Sequence, residues 1–165
     1  MDAVGRVRTV EPFEEFYRGQ ADRVYRALAV TLGDVELARD ATAEAMARAY
    51  ARWPRVSTVE NPGGWAYRVG LNWATSVWRR RRREHPLFDD LDPAVMATDV
   101  DAVAAMQALR TLNTLSRAVV VCRVLLELST SETATVLHIP EGTVKSRLAR
   151  ALATLRTSLT EEVSP

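Results

Sequence analysis

The stretch that decides the fold is LSTSETATVLHIPEGTVKSRLAR, which runs from Leu128 to Arg150. Ser129 and Glu132 have the spacing of a capping box, so a short helix is predicted to begin there. Pro140 disfavours helical geometry at the residue before it, and Glu141-Gly142 form a tight corner, so this helix is predicted to end just before the proline. A second helix is predicted to follow the corner.

The second helix is predicted to run from about Glu141 to Leu159 and has one apolar and one polar face. Its apolar residues recur in steps of four, four, three and four, which predicts a buried stripe. The stripe consists of Val144, Leu148, Leu152, Leu155 and Leu159. The polar face consists of Thr143, Lys145, Ser146, Arg147 and Arg150. This is the layout of a helix-turn-helix that reads the major groove, although spacing alone does not exclude an αα-hairpin with a solvated polar face.

The rest of the chain also has helical spacing, and no segment shows a convincing strand alternation. We therefore expect an all-α fold. The two helices of the helix-turn-helix are predicted at about 130–138 and 141–159. The other helices are predicted at about 11–32, 34–53, 65–84, 101–114 and 117–128. Asn61-Pro62-Gly63-Gly64 is a strong breaker, so a loop is predicted over 55–64.

Charged residues are sorted along the chain, although the net charge is only +1. Residues 1–83 carry 15 basic and 10 acidic residues, residues 84–104 carry 0 and 6, and residues 105–165 carry 7 and 5. The acidic segment contains His85-Pro86 and Asp92-Pro93 and has little periodicity, which predicts a linker. The expected organisation is a helical domain at 1–83, an acidic flexible linker at 84–100 and a helix-turn-helix domain at 101–165.

Composition excludes several classes of function. With 165 residues, 47% hydrophobic and 26% charged, the chain is expected to be globular. The single cysteine, Cys122, excludes an internal disulfide framework and is expected to be core packing. Neither histidine has a cysteine or carboxylate at ligand spacing, and no carboxylate cluster has active-site spacing, so we expect no metal, cofactor, small-molecule substrate or catalysis. No signal peptide or long apolar run is present, so we expect a cytoplasmic protein without membrane insertion.

The segment WAYRVGLNWATSVWRRRRRE, from Trp65 to Glu84, places aromatic residues beside five arginines. On a helical wheel it has two apolar stripes. One contains Ala66, Val69, Gly70, Trp73 and Val77, and the other contains Tyr67, Leu71, Ala74 and Trp78. A polar stripe between them contains Arg68, Asn72, Ser76, Arg79 and Arg83. Aromatic rings beside arginine suit unstacked bases, although the arginine run also fits a solvated helix end. The second apolar stripe is less easily explained, because a two-domain helical protein has few places to bury both sides of one helix. Part of it is expected to pack against the first two helices and part to face DNA.

Three segments resemble one known family. Residues 142–151, GTVKSRLARA, resemble the signature of the fourth region of extracytoplasmic-function (ECF) sigma factors, the bacterial RNA polymerase specificity subunits. Residues 38–50 resemble the second-region helix that docks on the polymerase clamp. Asn61-Pro62, residues 65–72 and Trp78-Arg79-Arg80 resemble the promoter-melting helix. The three motifs stand in the family's order and cover nearly the whole chain.

The resemblance implies a sigma factor without catalytic chemistry that binds core RNA polymerase and promoter DNA. The predicted minus-thirty-five contacts are Thr143, Lys145, Ser146, Arg147 and Arg150. The predicted contacts with the melted minus-ten element are Trp65, Arg68, Asn72, Arg79 and Arg80. The predicted polymerase contacts are Asp40, Glu44 and Arg48, which are spaced four apart on one helix face. The family also implies an anti-sigma protein as a possible partner.

The sequence departs from the family pattern at several positions. Ala43 stands where a glutamine is usual, and Met46 stands where a phenylalanine is usual. Ser116 replaces a proline, and His138 replaces a glycine before the corner. The first two departures motivate an alternative hypothesis, a helix-turn-helix transcriptional regulator that does not engage polymerase.

Overall fold

The computed structural model describes residues 11–84 and 100–161, and those residues form eight helices with no strand among them. The N-terminal lobe contains α1 (Phe13–Leu32), α2 (Val35–Ala51), α3 (Trp53–Val56) and α4 (Pro62–Glu84). The C-terminal lobe contains α5 (Val100–Arg110), α6 (Thr114–Val124), α7 (Thr130–Leu137) and α8 (Glu141–Glu161). The all-α prediction is confirmed. Almost all of the predicted acidic linker lies outside the described residues.

Local signals explain the ends of the helices in the N-terminal lobe. Gly33 ends α1 with φ 67°, a left-handed conformation that suits glycine. The Asp34 carboxylate accepts a hydrogen bond from the Leu37 N–H at 2.9 Å and so caps α2. The prediction of a loop over 55–64 is wrong at both ends, because α3 occupies its start and α4 begins at Pro62. Proline suits the first helical position, and Asn61 Oδ1 accepts from the Gly64 N–H at 2.8 Å.

The C-terminal lobe confirms the predicted capping box. The Glu132 N–H donates to Ser129 Oγ at 3.1 Å, and the Ser129 N–H donates to the Glu132 carboxylate at 2.7 Å. The predicted stripe of α8 is only partly right, because Leu152 and Leu159 are 42% and 41% exposed. The buried side of α8 instead passes through Val144 and Ala151, together with two half-buried leucines. The leucine pattern cannot distinguish these positions, because Ala151 and Leu152 lie three and four residues after Leu148 and therefore on either side of it on the wheel.

The two lobes pack against each other, which the sequence does not predict. Helix α1 lies against α6, and the beginning of α4 lies against α7. Val24 and Leu28 of the N-terminal lobe belong to the same buried apolar cluster as Val121, Leu126 and Val136 of the C-terminal lobe. The principal core of the protein therefore continues across both lobes.

Candidate nucleic-acid and polymerase interface

The corner of the helix-turn-helix is made by His138, the residue that replaces a glycine. It has φ 54° and ψ 46°, and its N–H donates to the Ala134 carbonyl. The next N–H, of Ile139, donates to the same carbonyl at 3.1 Å. A left-handed conformation is disfavoured for a residue with a Cβ. After the corner, the Pro140 carbonyl accepts from the N–H groups of Thr143 and Val144, and α8 begins.

Helix α8 presents most of the predicted minus-thirty-five residues to solvent. Lys145 and Arg150 are exposed, whereas Thr143 and Ser146 are half-buried. The Ser146 hydroxyl donates to the Thr143 carbonyl at 3.2 Å. Two exposed cations and two half-buried hydroxyl residues therefore supply chemistry that suits a DNA groove.

Arg147 lies one helical turn from both Thr143 and Arg150, at the edge of the predicted set that adjoins α6. Its side chain is half-buried, and Nη1 donates to Ser116 Oγ of α6 at 3.2 Å. The replacement of proline by serine at 116 therefore supplies an acceptor for this arginine. The Ser116 N–H in turn donates to the side chain of Asn113, which caps α6, at 2.9 Å. In this arrangement Arg147 joins α8 to α6 and does not face outward.

Helix α4 displays the predicted polar stripe. Asn72, Ser76, Arg79 and Arg80 are exposed, and Arg68 is half-buried. The Ser76 hydroxyl donates to the Asn72 carbonyl at 3.0 Å, so the hydroxyl serves the helix backbone. The predicted aromatic contact, Trp65, is half-buried against the apolar core, as are the tryptophans at 73 and 78. The exposed surface of α4 is therefore mainly amide and guanidinium, with partly exposed indole rings beside it.

One residue of the second apolar stripe of α4, Tyr67, is buried between α1 and α6. The Tyr67 side chain is fully buried, and its hydroxyl lies 2.7 Å from Thr31 Oγ1 of α1. On its other side it shares a hydrogen bond with the thiol of Cys122 in α6. Burial raises the pKa of Tyr67 and raises that of Cys122 to about 12, so both groups are neutral. The expectation that Cys122 is core packing is confirmed, and its position is between the lobes.

The predicted polymerase face on α2 is exposed but partly paired within the helix. Asp40 is exposed, and Arg48 Nε donates to the Glu44 carboxylate at 2.6 Å. Ala43 is exposed on the same helix. Met46 is only 4% exposed, so its side chain serves the core more than the surface.

Two exposed tyrosines lie near this face and were not predicted. The spacing of α1 and α2 suggests that Tyr17 and Tyr50 are buried, but they are 50% and 65% exposed. Phe13 lies between them, with its ring centroid 6.0 Å from that of Tyr17 and 5.1 Å from that of Tyr50. Periodicity could not find them, because they stand at the edges of apolar stripes where burial depends on the neighbouring helix.

None of the helices formed by residues 11–84 and 100–161 has the length and hydropathy of a membrane span. Within those same ranges, no group of three or more histidine, cysteine or acidic side chains is placed to hold a metal ion.

Comparison with known proteins identifies relatives of both lobes. The family model for sigma-70 region 2 matches residues 16–84, and that for sigma-70 region 4 matches residues 102–155. The chain is 36% identical over 151 residues to the RNA polymerase sigma-E factor of Streptomyces coelicolor, an alignment that covers 89% of this chain and 85% of that protein. It is 33% identical over 147 residues to the ECF RNA polymerase sigma factor SigM of Mycobacterium tuberculosis, covering 87% and 74% respectively.

Among solved structures, the sigma factor RpoE of Bartonella quintana, in complex with the anti-sigma factor NepR, has the same fold. The TM-score is 0.81 at 19% identity, and the match covers 93% of this chain and 98% of that one.

Proposed function

Because the chain belongs to the extracytoplasmic-function (ECF) RNA polymerase sigma factors of the sigma-70 family, we propose that its two lobes divide promoter recognition between them. As a transcription initiation factor it binds core RNA polymerase and promoter DNA. The domain formed by residues 1–83 binds the polymerase clamp and the melted minus-ten element. The domain formed by residues 101–165 binds the minus-thirty-five element as duplex, and the acidic linker at 84–100 joins the two.

In the minus-thirty-five element, the outward face of α8 enters the major groove. Lys145 and Arg150 supply the cations that neutralise phosphates or donate to guanine edges, and Thr143 and Ser146 supply hydroxyl groups for either task. Arg147 has a separate task in this proposal. Because its guanidinium donates to Ser116, it sets the angle between α8 and α6 and so positions the reading face.

In the minus-ten element, the exposed face of α4 captures unstacked bases. The Asn72 amide can donate to and accept from one base edge, which gives a sequence preference at that base. Arg79 and Arg80 bind backbone phosphates, and Arg68 contributes a third guanidinium nearer the beginning of the helix. The partly exposed ring of Trp65 offers a surface on which a base can stack.

Polymerase binding uses the exposed face of α2, with Asp40, Glu44 and Arg48 as the contacting side chains. Glu44 and Arg48 pair with each other at 2.6 Å in the free helix, so both charges lie together on this face. The protein supplies no catalytic chemistry of its own and acts in the cytoplasm, where polymerase and the chromosome are found. An anti-sigma protein is a further proposed partner, as in the RpoE complex.

One observation carries the proposal: each lobe exposes a polar, basic helix face, on α4 and on α8, next to a motif of the matched family. The test is transcription in vitro with purified chain, core polymerase and promoters selected from genomic fragments. Arg150→Ala should reduce initiation, because it removes an outward cation. Arg156→Ala is the matched control, because it removes an exposed arginine of the same helix nearly two turns further along. Failure of the unaltered chain to initiate at any selected promoter would refute the proposal.

A further inference from the structure

Backbone strain marks one residue of the helix-turn-helix whose side chain has no role inside the protein. Among residues 11–84 and 100–161, the non-glycine residues with a positive φ are Glu127 at 53° and His138 at 54°. This conformation is disfavoured for any residue with a Cβ. The Glu127 side chain has an internal role, because its carboxylate lies 3.4 Å from Arg23 Nη2. His138, at the corner between α7 and α8, needs a separate explanation.

Within the protein, the corner depends on the backbone of His138. Its N–H donates to the Ala134 carbonyl, and glycine would form the same bond in a left-handed conformation without strain. The side chain is exposed and forms no hydrogen bond or ion pair with the part of the chain that the structure describes. The Cβ and the imidazole therefore destabilise the free chain without a compensating contact. Strain that persists in this way is typical of residues that serve binding.

The position of the corner brings His138 to the edge of the DNA groove. In a helix-turn-helix, the first helix crosses the sugar-phosphate backbone, and the beginning of the second enters the major groove. These helices are α7 and α8, so the corner between them adjoins the backbone at the rim of the groove. The surface there is open, because Pro140, Glu141 and Gly142 are exposed and a Cβ built at Gly142 meets nothing within 4 Å. A phosphate can therefore reach the imidazole of His138 from solvent.

The chemistry of an imidazole suits a phosphate at this rim. A neutral ring donates one N–H group, and a protonated ring donates two and adds a positive charge. Beyond the corner, α8 carries the Glu141 carboxylate in its first turn and the exposed Lys145 one turn later. Helix α7 carries one charged residue, Glu132, whose carboxylate accepts from the Ser129 N–H at the far end of that helix. Because Glu141 repels phosphate, a donor at position 138 offsets an unfavourable charge.

We propose that His138 donates a hydrogen bond to a backbone phosphate at the edge of the minus-thirty-five element, and that this contact compensates for the strain at the corner. The inference rests on the proposed function, in which α8 reads that element. A phosphate contact fixes the register and orientation of a protein on the duplex and carries no sequence information directly. His138 therefore strengthens binding to every promoter of the chain, whereas the side chains of α8 distinguish one sequence from another.

Two substitutions at this position separate the side chain from the backbone. His138→Gly removes the imidazole and relaxes the corner, whereas His138→Ala removes the imidazole and keeps a strained Cβ. The holoenzyme, which is this chain bound to core polymerase, is titrated with labelled promoter at one salt concentration. Both variants should bind about three- to tenfold less tightly, which is the usual scale for the loss of one hydrogen bond. Denaturant unfolding should show a gain in stability for His138→Gly alone, whereas a purely structural role would leave both affinities unaltered.

Modified DNA identifies the phosphate. Each phosphate along both strands of the minus-thirty-five element is replaced in turn by an uncharged methylphosphonate, and the affinity of each holoenzyme is measured. At one phosphate, or at two neighbouring ones, the replacement should weaken binding of the unaltered chain about threefold or more and leave His138→Gly nearly unchanged, because that variant already lacks the contact. Replacements that weaken both proteins equally at every position would overturn the inference, and so would unaltered affinity in both His138 variants.

The outcomes distinguish this inference from the proposed function. If the unaltered holoenzyme initiates transcription and the His138 variants bind promoter as tightly as it does, the proposed function stands and the inference is wrong. If the unaltered chain initiates at no selected promoter but binds duplex DNA by itself, the proposed function is refuted, and the same titrations without polymerase decide the role of His138. A chain that binds no DNA in either form would refute both.

Discussion

Gly70→Ala should destabilise the protein, whereas Gly19→Ala should stabilise it, although both place alanine in a helix. Gly70 lies where α4 crosses α2. A Cβ there would lie 2.7 Å from Leu28 Cδ1 and 3.1 Å from the Ala41 carbonyl oxygen. Leu28 is fully buried, so its methyl group cannot move aside without displacing other core atoms. Gly19 is exposed in the middle of α1, and a Cβ there meets nothing within 4 Å.

The magnitude follows from two terms. Replacing an interior helical glycine by alanine gains about 1 kcal/mol of helix propensity, and this term is common to both variants. Overpacking a filled core costs about 1–3 kcal/mol, and only Gly70→Ala incurs it. The difference in unfolding free energy between the variants is therefore about 1–3 kcal/mol in favour of Gly19→Ala. For a chain of this length that corresponds to roughly 2–12 °C in Tm.

Thermal unfolding followed by circular dichroism measures this difference directly. A denaturant titration with the same slope for both variants would show that the unfolded reference is unchanged. If the two variants unfold within about 0.3 kcal/mol of each other, which is the usual scatter for independent sites, α4 does not approach α2 as closely as the structure has it. The close packing of α4 against α2, which orients the polar face of α4, would then be wrong.

Three further predictions concern the corner, the minus-ten face and a helix cap. His138→Gly should raise the unfolding free energy by about 1 kcal/mol, because φ 54° is strained for histidine. Denaturant unfolding measures this change. An unfolding free energy that does not rise would contradict the left-handed corner. Asn72→Ala should change the sequence preference at one promoter base. The double variant Arg79→Ala with Arg80→Ala should weaken binding to all sequences and lower the slope of log affinity against log salt concentration by about 2, measured in titrations of the holoenzyme with promoter DNA. Equal effects of the single and double variants on every promoter would refute the role of Asn72. Glu132→Gln should make the unfolding free energy depend less on pH in the acid range. The Ser129 N–H lowers the folded pKa of Glu132 below 4.5, so the stabilisation is present above that pH and is lost as pH falls through the folded pKa. An unchanged acid limb would mean that the cap does not depend on the ionised carboxylate.

Much of the C-terminal lobe could be predicted from sequence because its signals are local. The capping box at Ser129, the break before Pro140 and the polar face of α8 each depend on residues within one or two helical turns. The same is true of the Asp34 cap and of the end of α1 at Gly33. The prediction that Leu152 is buried is wrong because it depends on a non-local contact. Exposure at the edge of an apolar stripe depends on which helix packs there. The burial that the spacing suggests for Tyr17 and Tyr50 is wrong for the same reason.

The packing of the two lobes against each other could not be predicted, although one feature of the sequence points to it. Two apolar stripes on α4 need cover, and although α1 and α2 both pack against α4, α7 and Cys122 of α6 meet it as well. Tyr67 is the residue that shows this, since a fully buried tyrosine needs a partner for its hydroxyl, and Thr31 and Cys122 provide it. Periodicity identifies a face that must be covered, but the covering helix is about 50 residues away in sequence, where no local rule applies.

The departures from the family pattern separate into buried and exposed positions, and this decides which of them bears on polymerase binding. Met46 is buried, and Ser116 accepts a hydrogen bond from Arg147, so both belong to the internal packing. His138 makes the corner between α7 and α8, far along the chain from the proposed polymerase face. Only Ala43 presents a changed side chain on the exposed surface of α2. The alternative of a regulator that does not engage polymerase therefore depends on one small side chain, next to Asp40, Glu44 and Arg48, the residues proposed to bind polymerase.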